Sequence, residues 1–205
     1  MKEWIPLFPL AVVLFPNSAL PLHIFEQRYK VLITRSAQKG LEFGINCTNE
    51  NSMAQTGCTA TVERILQRYE DGRMDIVVRG QRRYKLHQVD AKQEVYLVGL
   101  VEFTSSVEDR VDLELARATI GLYHTLVEKA FQSDAHRFSP DEVGSGVSFL
   151  LAQKVGMSLD QRQRLLELAT ENERLGMLHQ YLIEFLPKIQ KAEDIERIIR
   201  NNGYL

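Results

Sequence analysis

The amino-acid sequence predicts an α+β fold: an antiparallel β pseudobarrel with one early helix, followed by a C-terminal helical bundle. Three observations predict it. The apolar opening run "WIPLFPLAVVLFPNSALPLHIFEQRY" is interrupted by Pro6, Pro9, Pro16 and Pro21, which suits extended edge segments because proline fixes φ and lacks the donor that a central strand needs. From Leu41 to Thr104 short apolar runs alternate with turn signals, as in an antiparallel meander. Beyond Ser105 the apolar period becomes that of a helix. These shifts divide the chain into a β-rich subdomain over 1–104 and an α-helical subdomain over 105–205.

Taken in order, the prolines make the first segment a bent strand, and "FPNS" reads as a turn. In "IFEQRYKVLITRSAQKG" the residues Phe25, Tyr29, Leu32 and Ile33 fall at helical spacing, and Gly40 stands where a left-handed helix terminus is wanted. "LEFGIN" predicts a short strand and "CTNENSMAQTG" a polar loop. In "CTATVERILQRY" the apolar phase changes between Val62 and Ile65, as a bulge would make it. "EDGR" carries an Asp-Gly hairpin signal, and "RMDIVVRG" then puts Met74, Ile76 and Val78 on one face. "RRYKLHQV" and "EVYLVGLVEF" complete a five- or six-stranded set, and meanders of this size curl to remove their edges. Among the helices, "VDLELARATIGLYHTLVEKAF" is long and amphipathic, and "SPDE" offers a serine N-cap with proline at the first helical position, before "VSFLLAQKVG". Two capping boxes follow, Ser158 with Gln161 and Thr170 with Glu173. The last helix lines up Leu175, Leu178, Leu182, Ile183 and Leu186, and Pro187 predicts a kink or break.

Bulk properties exclude several function classes. With 205 residues, 44% apolar, 25% charged and a net charge of −2, the chain has the composition of a soluble globular protein, and no global field favours nucleic acid or an anionic membrane. Cys47 and Cys58 read as reduced small hydrophobes in a reducing compartment. Neither shows metal-ligand spacing and the five histidines are scattered, so no metal and no cofactor is expected. The opening run is too short to span a bilayer, and its prolines break a signal helix. The expectation is therefore a cytoplasmic protein without a membrane anchor.

Few residues of the chain carry a recognisable chemistry. Neither GxxxxGK[ST] nor GxGxxG occurs; "VGSGVS" at 143–148 lacks the lysine and follows no strand. There is no GxSxG elbow and no local Cys/His signature, so no catalytic residue is assigned. His23 and Glu26 read as orienting groups at a helix start, and Glu26 with Arg28 as a structural ion pair. The densest basic run is "RGQRRYKLH", with Arg79, Arg82, Arg83 and Lys85. In a strand, Arg83, Lys85 and His87 would share one face, with Tyr84 and Leu86 inward. Such a strand on a small barrel can track phosphates, yet acidic residues flank it and only Tyr84 offers a stacking ring.

Read together, these pieces resemble one family. "PLFPLAVVLFPNSALPLHIFEQRY" resembles the opening signature of the Lon protease N-terminal (LON substrate-binding) domain, "PLFPL…VLFPG…LPLxIFExRY". "FGI" at 43–45, "GCTATVERI" at 57–65 and "DGRMDIVVRGQRRYKL" at 71–86 follow in family order. The helical block beginning "LLAQKVGMSLDQRQRLLELAT" is similar to the segment preceding the ATPase module of Lon. Departures are small: Asn17 stands at the usual glycine and tolerates a left-handed turn, and Tyr84 stands at the usual phenylalanine. The ATPase motor and Ser-Lys peptidase of full Lon do not fit within 205 residues, so the resemblance is to the stand-alone form and implies no enzyme activity. It also implies a PUA-like pseudobarrel, recognition of unfolded or specific protein segments by polypeptide capture, and self-association as a further mode. The expected groove runs near Leu14, Phe15 and Pro16, where apolar capture and strand addition at an uncovered edge would act together. The alternative is RNA binding through Arg79, Arg82, Arg83 and Lys85.

Overall fold

The structure, a computed structural model, describes residues 1–49, 52–92, 94–104, 110–131 and 146–201, with side chains omitted at 130, 131 and 190–201. In chain order its elements are β1 (Lys2–Pro6), β2 (Ala19–Ile24), α1 (Gln27–Lys39), β3 (Phe43–Thr48), β4 (Met53–Arg68), β5 (Met74–Asp90), β6 (Val98–Phe103), α2 (Leu113–Phe131), α3 (Val147–Ala152), α4 (Leu159–Glu167) and α5 (Glu171–Asn201). The chain divides into two units: Met1–Val107 with Met157–Leu168, and Glu108–Gly156 with Ala169–Leu205.

In the first unit the strands form an antiparallel sheet ordered β1-β6-β5-β4-β3, with β2 paired to β5 off that path. The sheet closes on itself through the chain that follows β1. Leu7 bridges Gly44 and Leu10 bridges Cys47, both parallel, with Phe8 donating to the Gly44 carbonyl at 2.7 Å and Leu10 to that of Asn46 at 3.1 Å. Pro9, which has no N–H to give, falls between those two donors. Inside lie Phe8, Leu14, Ile24, Leu32, Ile33, Phe43, Ile45 and Ile76, each nearly or wholly buried, so α1 packs its Leu32–Ile33 stripe onto the sheet interior. The predicted helix end is present, with Gly40 left-handed at φ 63°.

Local signals in the strands act as predicted, with two differences. The Asp-Gly hairpin forms with Gly72 at φ 80°, and β4 shifts register between Val62 and Arg64, where the apolar phase changes. It also shifts between Cys58 and Ala60 and between Ile65 and Gln67. The sequence reading makes Met53–Gly57 a loop, yet these residues belong to β4, because Thr56 and Gly57 find a ladder opposite Lys85 and Tyr84. It also splits 73–89 into two strands, whereas β5 runs unbroken for 17 residues. Gly80 makes that continuity feasible: a Cβ there would stand 2.1 Å from the Phe15 carbonyl oxygen.

The helix α4 is predicted among the C-terminal helices but groups with the strands. Its Ser158–Gln161 capping box is present. Gln163 donates to the Thr56 carbonyl at 3.0 Å, and Arg83 donates to the carbonyls of Leu166 at 2.9 Å and Leu168 at 2.5 Å. A guanidinium at a helix C-terminus satisfies carbonyls that the helix itself cannot.

The second unit holds α2, α3 and α5. Leu175, Leu178 and Leu182 are fully buried, whereas Ile183 of the predicted stripe is 45% exposed. The Thr170–Glu173 box is formed, with Glu173 donating its N–H to Thr170 Oγ1 at 3.2 Å and accepting from the Thr170 N–H at 2.9 Å. Pro187 does not end α5, which continues to Asn201. The carbonyl that Pro187 leaves without a donor is that of Ile183, on an exposed turn where water can satisfy it. "SPDE" and most of "VGSGVS" lie outside the described residues; Gly146 is the left-handed N-cap of α3.

Candidate polypeptide-binding face

The opening signature builds the wall of the pseudobarrel. Asn17 adopts the left-handed turn at φ 61°, and Ser18 Oγ closes it, donating to the Phe15 carbonyl at 2.6 Å and accepting from the Phe15 N–H at 3.1 Å. Leu14 is 3% and Phe15 0% exposed, and Pro16 is half-buried. Arg162 of α4 lies 5.0 Å from the Phe15 ring centroid and donates to the Val13 carbonyl at 3.3 Å. Leu14 and Phe15 therefore present no apolar surface to solvent here.

The basic strand is internally compensated. Arg79 pairs with Glu63 at 2.9 Å and donates to the Asn17 carbonyl. Arg82 pairs with Glu42 at 3.1 Å and stacks 3.7 Å from the Phe103 ring centroid. Arg83 is only 4% exposed, turned inward to the end of α4 rather than out beside Lys85. Lys85 is exposed, opposite Glu102 in the β5–β6 ladder. Tyr84 does not offer a stacking ring, since it is fully buried with its hydroxyl on Asn46. These charges serve the fold, and the strand presents no continuous phosphate track.

Exposed apolar side chains stand around β2, as they do at Trp4 and Leu41. The Gly80 N–H donates to the Ser18 carbonyl, so Ser18, Leu20, Leu22 and Ile24 turn their backbone toward β5. Ala19, Pro21 and His23 then turn theirs to the other side. Among the described residues β2 pairs with β5 alone, and Pro21 on the outward register is where an edge strand tolerates proline. On the outer face a groove of about 460 Å³ is lined by Pro21, Leu22, His23, Leu66, Gln67 and Asp75. Leu66 is the extra residue of the Ile65/Gln67 bulge and is 58% exposed; the bulge aims an apolar side chain outward. Phe25, just past β2, is 61% exposed, with its ring centroid 6.2 Å from that of His23.

A polar relay crosses this face. His23 Nδ1 meets Asp75 Oδ1 at 2.6 Å, and the Tyr69 hydroxyl donates to Asp75 Oδ2 at 2.6 Å. These two hydrogen bonds, Tyr69 first, hold the Asp75 carboxyl below its ordinary range. His23 thus reaches across to Asp75 and not to Glu26, which pairs with Arg28 at 2.8 Å. Periodicity could not find this relay, because its residues come from three separate segments.

Further clefts lie among the described residues. One of about 560 Å³ lies between α1 and the β4–β5 hairpin, with Lys30, Arg35, Arg68, Glu70 and Asp71 on its walls. Another of about 430 Å³ is lined by Trp4, Pro6, Leu41, Glu42, Arg82 and Phe103. Cys47 and Cys58 are not bonded to each other, and burial pushes the Cys58 thiol up to about 12. Among the described residues no group of three or more His, Cys, Asp or Glu side chains is arranged to hold a metal ion, and no helix is long and apolar enough to cross a membrane.

Comparison with known proteins places this geometry. The family described as the ATP-dependent protease La (LON) substrate-binding domain matches residues 4–184. Lon protease 2 of Herpetosiphon aurantiacus is 25% identical over 213 aligned positions, covering 96% of this chain but 26% of that protein. The chain thus spans about a quarter of the length of this curated relative. Among solved structures, a Lon N-terminal domain protein from Xanthomonas campestris superposes with a TM-score of 0.66 at 26% identity, covering 86% of this chain and 96% of that one. The N-terminal domain of the Mycobacterium avium complex Lon protease gives 0.67 at 16% identity, with 88% and 98% covered, and shares the fold.

Proposed function

We infer that this chain, a member of the LON substrate-binding domain family, captures extended polypeptide segments on the outer face and open edge of β2. The observation that carries this reading is the coincidence of exposed Phe25 and Leu66 with an edge whose outward backbone groups have no strand partner among the described residues. Main-chain hydrogen bonds to that edge supply affinity for any extended segment, and the apolar side chains favour segments that are unfolded. An exposed apolar cluster on a soluble domain marks an interaction surface. Capture then belongs to the β-rich residues 1–104 and moves from Leu14–Pro16, where Leu14 and Phe15 are interior, to Pro21–Phe25 and Leu66.

We assign binding without bond cleavage to these residues. RNA is disfavoured as ligand, because Arg79 and Arg82 are already met by carboxylates and Arg83 is buried. The test is fluorescence anisotropy with a reduced, carboxymethylated and hence permanently unfolded polypeptide. Wild-type protein binds it; Phe25→Ser with Leu66→Ser weakens binding about tenfold or more, as loss of two apolar anchors does. Equal affinity in that folded double variant would overturn the assignment.

A further inference from the structure

We propose that His23, held by Asp75, makes the β2 face selective for captured segments that carry a lysine or arginine between two apolar residues at alternate positions. The proposal rests on the capture reading and adds a sequence preference to it. Asp75 is a carboxylate whose two oxygens accept from Tyr69 and His23. A carboxylate can only accept, so the His23 proton resides on Nδ1. In the neutral imidazole Nε2 is then an acceptor, carried on a side chain that is 45% exposed. The fixed tautomer makes that nitrogen electron-rich, with the Asp75 charge behind it.

The surroundings match a cation. The Phe25 ring lies 6.2 Å from His23 and nearly parallel to it, and an aromatic face attracts ammonium and guanidinium groups; the Tyr69 ring, 6.0 Å away, stands steeply to His23 and already carries a guanidinium. Gln67 and Asp75 stand in the same cross-strand row as His23. The nearby Arg73 is occupied, at 2.6 Å from Asp71 and over the Tyr69 ring. A strand added beside β2 sets its residues opposite those of β2 on the same face, about 5 Å away. Along that face Pro21, His23 and Phe25 follow one another at alternate positions. The segment that fits has an apolar residue opposite Pro21, a basic one opposite His23 and an apolar one opposite Phe25.

The test uses the whole chain and four synthetic peptides of equal length, measured by fluorescence anisotropy at pH 8. Three carry Leu-x-Arg-x-Leu, Leu-x-Gln-x-Leu or Leu-x-Glu-x-Leu, and the fourth moves the arginine one residue along, to the opposite face. Wild-type protein binds the first peptide about tenfold tighter than the second and fourth, and the third most weakly, as a charge-assisted contact requires. In His23→Phe, which keeps a ring and removes the acceptor, the preference for the arginine peptide over the Gln peptide falls below about twofold, whatever change in affinity the four peptides share. Equal wild-type affinity for the first three peptides, or an arginine preference that survives in His23→Phe or is shared by the shifted peptide, overturns the selectivity and leaves capture standing. If no peptide binds and the unfolded polypeptide does not bind either, both readings fall.

Discussion

Arg83, in the middle of β5, donates to the carbonyl oxygen of Leu166 at 2.9 Å, so a strand cation closes the end of a helix 83 residues away in sequence. With the second bond to Leu168, one buried side chain ties α4 to the pseudobarrel. Arg83→Ala leaves these carbonyls unsatisfied over a cavity and is expected to cost about 2–4 kcal/mol, read as a lower midpoint in urea. Arg83→Lys restores only part of that, because an ammonium cannot fork to two acceptors in fixed geometry. An unchanged midpoint in Arg83→Ala would show that α4 is held by other contacts.

A second anchor lies in the other unit. Glu171 accepts from the Ser148 N–H at 2.8 Å and from Arg174 at 2.8 Å, with both charged side chains nearly inaccessible. Glu171→Leu leaves Arg174 buried without its carboxylate, with an expected loss of about 3–5 kcal/mol. Replacing both, Glu171→Leu with Arg174→Met, recovers most of it. Chemical denaturation of the single and double variants decides, and an equally damaged double variant would count against the pair.

The strand at Gly80 tolerates no side chain. Gly80→Ala drives a Cβ into the Phe15 carbonyl and is expected to cost about 3 kcal/mol or more, since backbone on both sides must move. Thermal unfolding reads this directly.

Much of this was legible in the sequence because it is local. The capping boxes at Ser158 and Thr170, the hairpin at Gly72 and the left-handed Asn17 are each set by residues within four positions of one another. Non-local satisfaction was not legible. Arg83 reads as a solvated strand residue because Leu166 and Leu168 are far along the chain, and α4 joins the strands for the same reason. Leu14 and Phe15 could be interior or groove on pattern alone; Leu14 lies in the core of the strands and Arg162 lies over Phe15. The β2 face was hidden because Leu66 points outward only through a bulge, which breaks the period that would have marked it.

The relay on that face also has an acid signature. The carboxyl of Asp75 titrates below its ordinary range, first because Tyr69 donates to it and then because His23 does. A depressed folded-state value means that its stabilising contribution is present above the unfolded carboxyl value and is lost as pH falls through the folded one. In Tyr69→Phe the Asp75 carboxyl carbon, followed by NMR, titrates closer to the ordinary range; no movement would remove Tyr69 from the relay.

The two thiols report on the interior. With the Cys58 thiol pushed up to about 12 by burial, it is overwhelmingly protonated at pH 8, so a thiol reagent labels it only when the protein opens. Cys47, raised by burial and by Asp160, labels first. Rapid labelling of Cys58 in the native protein would contradict the packing of β4.

The most direct measurement of polypeptide capture is amide hydrogen exchange at β2 with and without the unfolded polypeptide. Capture by strand addition predicts that the His23 N–H, which faces the open edge, becomes protected on binding, while the amides of Leu20 and Leu22, already turned to β5, change little. Binding that protects Lys85 and its neighbours in β5 instead, or leaves His23 exchanging as in the free protein, would contradict it.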